Sequence, residues 1–362
     1  MLLKVSALPI GGKGMAPFPL CRSARGPCVF ALSMVDCFKD SKFEAGQDEV
    51  LWDRSYSGSS GGGIGLTLNM FVQHFINALG LGSLYGLVAV GYTMVYGILR
   101  LINFAHGDIF MLGAYFVYFS TVVFKLPWAA GVGLAVAGAT VCGLLVDRIA
   151  YRPLRNAPRI SALISAIGVS FFIENLAVVV FSGMPRPVVQ PPLLMRPVPV
   201  GGVRLIPLGL MVPVVSFLLV GALLWMVYRT KPGLAMRSIS HDIETTRLMG
   251  VSVDRIIALT FALGSALAAV AGILWALRYP RVEPFMGLFP GIKAFIAAVF
   301  GGIGSIPGAM IGGILLGFVE IMSVAFFPNL SGYKDAFAFM LLIAILLFRP
   351  TGLMGERLED KI

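Results

Sequence analysis

The chain has 362 residues, of which 57% are hydrophobic and 13% charged, with a mean hydropathy of +0.88 and a formal charge of +10. Soluble domains carry about 25% charged residues, so this composition excludes an ordinary soluble enzyme or binding module. Most Lys and Arg sit in short loops beside apolar runs, where basic residues set membrane orientation, so the positive charge does not point to nucleic acid.

Apolar runs of about 20 residues recur, each long enough to cross a bilayer as a helix. Backbone groups in lipid must be satisfied internally, which leaves helices or closed barrels, and continuous apolarity without strict alternation excludes a barrel. The expected fold is an all-α membrane protein, a polytopic helical bundle of about eight spans with one glycine-broken or re-entrant segment.

Residues 1–69 are rich in Gly, Ser, Pro and charge, lack a helical period and end in Ser57-Gly-Ser-Ser-Gly-Gly-Gly63. They read as a disordered tail. Met1–Ile10 is too short, and too interrupted by Lys4 and Pro9, for a signal peptide. The expectation is that translation naturally starts at Met70 and that the tail is a mis-assigned gene start. Cys21, Cys28 and Cys37 lie there without metal-ligand spacing, and Cys142 stands alone in a span as a small packing residue.

From Met70 the spans are expected at 74–98, 104–124, 128–149, 161–181, 206–228 and 256–277. A glycine-broken pair follows at 288–300 and 307–327, then a last span at 336–348, so that 70–355 is the transmembrane domain and 356–362 a cytoplasmic tail. Arg148, Arg152, Arg155 and Arg159 crowd one loop, and Arg229, Lys231, Arg237, Arg247 and Arg255 another. Both are assigned to the cytoplasmic side. The proline-rich loop Ser182–Pro207 then faces outward in an extended form.

Met236–Gly250 is a polar segment of helical length between two apolar spans. It reads as an amphipathic helix at the membrane surface, with apolar Ile239, Ile243 and Met249 alternating with Arg237, His241, Asp242, Glu244 and Arg247, and Gly250 closing it. Its two readings are a docking helix for a cytoplasmic partner and a solvated helical loop. In Asn103-Phe-Ala-His-Gly-Asp108, the residues Asn103, His106 and Asp108 interrupt two apolar runs, either facing a pathway or forming a polar turn at the cytoplasmic end of the first hairpin. Glu174 and Glu320 each stand inside an apolar span. Such a carboxylate needs a donor, whether it lines a path or fixes helix packing.

Gly301-Gly-Ile-Gly-Ser-Ile-Pro-Gly308 has no following Lys-Ser/Thr and no preceding strand, so it reads as a break in a membrane helix rather than a phosphate loop. Gly301, Gly302 and Gly304 are then candidates to line a cavity. Gly308 with Gly312, and Gly313 with Gly317, each pair at four-residue spacing, which permits close helix contact. His74, His106 and His241 share no ligand spacing, and the sequence offers no Walker A motif, metal cluster or nucleophile with a base. No catalytic or metal residue is therefore assigned, and no cofactor is expected on this chain.

Tyr96-Gly-Ile-Leu-Arg-Leu-Ile-Asn-Phe-Ala-His-Gly-Asp-Ile-Phe-Met-Leu-Gly-Ala-Tyr115 resembles the signature of branched-chain amino acid permeases of bacterial ABC importers, of the LivH type. So do Gly287–Ala309 and the ending Leu347-Phe-Arg-Pro-Thr-Gly352. The resemblance covers about Met70 to Gly355. It implies an inner-membrane, multi-pass subunit pairing with a homologous second permease, two cytoplasmic ATPase subunits that use ATP, and a periplasmic substrate-binding protein. By the same resemblance 236–250 is the coupling helix, and Glu244-Thr-Thr-Arg-Leu-Met-Gly250 is similar to Glu-Ala-Ala-x-x-x-Gly, with Thr245 and Thr246 replacing the alanines. A urea or short-chain amide importer is the nearest rival within the class, and a stand-alone secondary transporter or channel is the rival outside it.

Overall fold

The computed structural model describes residues 68–355 except Ile102, Asn156, Gly201, Gly202 and Pro350. The tail expected over 1–69 therefore lies outside the described residues up to 67, as does 356–362. The chain divides between Gly65 and Leu66, and the described residues belong to the second unit.

Helices dominate this unit: α1 (Leu68–Leu99), α2 (His106–Tyr118), α3 (Trp128–Val146), α4 (Arg159–Phe181), α5 (Pro192–Met195), α6 (Pro207–Arg229), α7 (Lys231–His241), α8 (Ile243–Leu248), α9 (Val253–Arg278), α10 (Leu288–Gly301), α11 (Ile306–Phe326) and α12 (Lys334–Phe348). Among the described residues, seven helices are long and apolar enough to cross a membrane, and α10 is a shorter apolar helix. Each expected span coincides with one of these helices or, for 104–124, with α2 and the π-turn Phe119–Val123 that continues it. α1 begins at Leu68, ahead of both the expected domain boundary and the expected span start.

α1 is the centre of the bundle, with 94% of its most apolar stretch buried. Glycines on it let neighbours approach to backbone distance. Gly82 and Gly86 face Gly317 and Gly313 of α11, where a Cβ on Gly313 would lie 2.3 Å from the Gly86 Cα. Residue numbers rise along α1 as they fall along α11, so the two run antiparallel. The expected small-residue stripe thus serves two neighbours, because Gly312 turns instead toward Ala297 of α10.

α4, α6 and α12 are peripheral. They present Phe171, Phe172 and Val179, then Phe217, Leu218 and Trp225, then Met340, Ile343 and Leu347 on the outside. An apolar outer surface is what helices in lipid require. α12 buries only Ala338 among its described residues.

The loop after α4 is extended as expected, apart from the single turn α5. β1 (Arg186–Pro187) pairs antiparallel with β4 (Arg281–Val282) after α9, and β2 (Val198–Val200) pairs with β3 (Val203–Leu205) in register Val198↔Leu205. Arg186 donates two hydrogen bonds to the Phe181 carbonyl at the end of α4. These bonds meet an orphan acceptor that a helix C-terminus leaves open.

Candidate functional site

The segment 236–250 is not one helix. α7 ends at His241 and α8 begins at Ile243, because Asp242 takes an extended backbone (φ −153°) and its carboxylate accepts from the Glu244 N–H at 2.9 Å and the Thr245 N–H at 3.2 Å. An Asp that caps the following turn ends the preceding one. α7 is fixed to the bundle from the other side. Thr230 caps it, and at Gly233 a Cβ would meet the Val227 carbonyl oxygen at 2.3 Å, so the α6–α7 corner accepts only glycine. Gly233, Met236 and Ile239, spaced three apart, form its buried face.

Arg237, His241, Asp242, Glu244, Thr245 and Gly250 are all exposed. The Arg237 guanidinium lies over the Tyr228 ring at 5.3 Å. Leu248 and Met249 project at 87% and 79% exposure, and Gly250 closes the segment with φ +83°. The result is a firmly rooted projection that exposes two apolar side chains, Leu248 and Met249, among charged ones.

Asn103, His106 and Asp108 form no ordinary surface turn; all three are buried. The chain leaves α1 through Arg100 (φ +53°) and turns back into the bundle. Asn103 Oδ1 accepts from the Tyr151 hydroxyl at 2.8 Å, and Asp108 accepts from the Ser170 hydroxyl at 2.6 Å. His106 packs against Tyr92 with ring centroids 4.7 Å apart and planes tilted by 58°, and its imidazole fills the space that a side chain at Gly91 would need. Glycine at 91, and the mutual approach of Gly107 with Gly287 and Gly291, let this polar knot pack inside instead of spreading at the surface.

Glu174 lies one turn beyond Ser170 on α4, close enough to Asp108 for the two carboxylates to interact electrostatically. Its Oε1 has no hydrogen-bond partner among the described residues. The structure thus gathers Asn103, in the turn before α2, with His106 and Asp108 of α2 and Glu174 of α4, while Glu320 belongs to a separate group. Its carboxylate accepts from Tyr85 at 3.0 Å and from the Lys293 ammonium at 3.0 Å, and Lys293 also pairs with Asp335 of α12 at 2.6 Å. Lys293, Tyr85 and Asp335 were not singled out from sequence. The available signal was that Lys293 is as isolated a charge in α10 as Glu320 is in α11.

The glycine break is packed by the end of the described chain. α10 stops at Gly301, with Gly302 (φ +105°) and Gly304 (φ +101°) in the turn and Ser305 capping α11. The Phe300 and Gly301 carbonyls accept from the Leu353 and Met354 N–H groups at 3.0 and 2.9 Å. Gly301 lies against Gly308, and Gly302 against Gly352 and Gly355, while Gly304 has open space beside it. A crevice beside this turn is lined by Tyr92, Thr93, Tyr96, Phe295, Ala298 and Ile303.

Comparison with known proteins agrees with this architecture. The family described as "Branched-chain amino acid transport system / permease component" matches residues 74–346. The chain is 41% identical over 305 residues to the high-affinity branched-chain amino acid transport system permease protein BraD of Pseudomonas aeruginosa, covering 81% of this chain and 98% of that protein. Identity and coverage are the same for the LivH permease protein of Escherichia coli K12. A probable LivH permease protein of Methanocaldococcus jannaschii is 28% identical over 289 residues, 75% of this chain and 89% of the relative. With the family match spanning most of the described bundle, this chain belongs to the family of permease components of branched-chain amino acid transport systems.

Proposed function

We propose that the chain is the membrane-embedded subunit of an ABC importer for branched-chain amino acids, and that it is driven by separate ATPase subunits docked on α7 and α8. In this reading it carries no catalytic or metal site of its own, and ATP is used by its partners. It sits in the inner membrane beside a homologous second permease, and a substrate-binding protein delivers amino acid from outside.

The observation that carries the reading is the rooted projection of α7 and α8. Leu248 and Met249 offer a partner apolar area, Arg237, Glu244 and Arg247 offer charge, and the Gly233 corner with Met236 and Ile239 transmits displacement to α6 and α9. Asn103, His106, Asp108 and Glu174 are proposed to shape the gate, since ionisable groups at membrane depth face pathways or partners. For Gly301, Gly302 and Gly304 the proposed role is to form the tight turn beside the crevice lined by Tyr92, Tyr96 and Phe295, as part of the pathway or its gate. An aliphatic zwitterion suits the largely apolar helix faces of this bundle.

Co-purification from the native membrane, followed by uptake assays with labelled leucine and labelled urea in a deletion strain, tests the proposal. ATPase subunits in the complex and restored leucine uptake are expected. Restored urea uptake alone would reassign the substrate to the amide class, and a chain that purifies without ATPase would overturn the reading.

A further inference from the structure

A chain of charged contacts joins the root of the docking segment to the buried polar knot. Asp254 lies in the first turn of α9, just after Gly250 and Ser252. The turn between α3 and α4 places Arg155 against it: one guanidinium nitrogen of Arg155 donates to Asp254, and the other donates to Asp147 at 2.8 Å. Arg152 adds a second bond to Asp254 at 3.2 Å, on the solvent side. The Arg155 and Asp147 side chains are 14% and 5% exposed, whereas that of Asp254 is 56% exposed.

Asp147 opens the π-turn Asp147–Tyr151 at the end of α3, and Tyr151 at the other end of that turn holds Asn103. Tyr151 also packs on Phe261 of α9, with ring centroids 5.4 Å apart. Turns of this wide type are local departures from α-helical geometry and are frequent at functional positions. Within a few residues, then, the contacts run from α8 through Asp254, Arg155 and the π-turn to Asn103.

We infer that Arg155 is a positioning residue that transmits displacement of the docking helices into the Asn103–Asp108 turn. The inference rests on the proposed docking of ATPase subunits on α7 and α8. The planar guanidinium holds two carboxylates from different elements in one fixed geometry, which a lysine ammonium cannot reproduce. A basic residue serving only to orient the loop in the membrane would need neither carboxylate.

The test is a double-mutant cycle on the assembled transporter in proteoliposomes, reading labelled leucine moved per ATP hydrolysed. The variants are Arg155→Lys, which keeps the charge, Asp254→Asn, which alters an exposed group, and the pair together. Each single variant is expected to lower the transport-to-hydrolysis ratio about tenfold with hydrolysis held within about twofold. The double variant should be no worse than either single one, since residues of one network do not add. An unchanged ratio in both single variants, or hydrolysis and transport falling in step, would overturn the inference alone. Failure of ATPase to assemble on the unaltered chain would overturn the docking reading and the inference with it.

Discussion

Lys293 of α10 and Glu320 of α11 form an ion pair at 3.0 Å inside an apolar helix bundle, with the Tyr85 hydroxyl of α1 donating to the second carboxylate oxygen. Desolvating two charges is tolerated when each is paired and hydrogen-bonded, and removing Lys293 leaves the buried Glu320 carboxylate only the Tyr85 hydroxyl and the half-exposed Lys334 ammonium at 3.8 Å. Lys293→Met is therefore expected to destabilise the protein by about 1.5 to 3 kcal/mol, the loss of one charge-assisted bond, and Lys293→Met with Glu320→Gln by clearly less. Thermal unfolding of the detergent-purified complex checks both. Equal losses would show that the pair is not the reason.

The same pair shows what the sequence makes legible. Span positions follow from apolar length, which is local, and the helices lie where that length puts them. The four-residue glycine spacing on α11 announces close contact, but only the fold shows that Gly312 and Gly313 face different neighbours. The division of 236–250 was readable in principle, since Asp242 followed by Glu244 is a helix-start signal; continuous amphipathicity hid it. Lys293 with Glu320, and Arg155 with Asp254, were not readable as pairs, because each joins elements that only tertiary packing brings together.

Gly313 of α11 has no room for a side chain: its Cβ would lie 2.2 Å from the Gly86 nitrogen. Overpacking a tight helix contact costs about 1 to 3 kcal/mol, so Gly313→Leu is expected to lower the melting temperature and reduce assembly. Gly221, with nothing within 4 Å, is the control. Gly221→Leu should leave the melting temperature unchanged.

Gly250 separates conformational from steric demand. A Cβ there meets nothing within 4 Å, but φ is +83° and its N–H donates to the Arg247 carbonyl at 3.0 Å. Gly250→Ala should cost about 1 to 2 kcal/mol locally. Gly250→Pro removes the donor and forces φ to about −65°, which displaces the α8–α9 connection. The expected outcome in proteoliposomes is partial coupling in the first variant and ATP hydrolysis without transport in the second, with the complex intact in both. Charge reversal at Glu244 is expected to resemble the second.

Tyr151→Phe deletes the hydroxyl that holds Asn103 and leaves the side-chain Oδ1 of Asn103 buried without its donor. Leaving such a group unsatisfied costs about 1 to 3 kcal/mol. Leucine uptake by this variant is expected to fall while the amount of protein in the membrane is maintained. Uptake equal to that of the unaltered chain would remove Asn103 from the proposed gate.

Coupling of solute movement to work that enters through α7 and α8 is the property on which the proposed function turns. Its most direct measurement is labelled-leucine uptake into vesicles holding either the purified chain alone or the full complex, each with and without ATP. Uptake is expected only from the complex with ATP, and Leu248→Glu with Met249→Glu at the tip of the projection should abolish it. Uptake by the chain alone, with no nucleotide-hydrolysing subunit present, would contradict it.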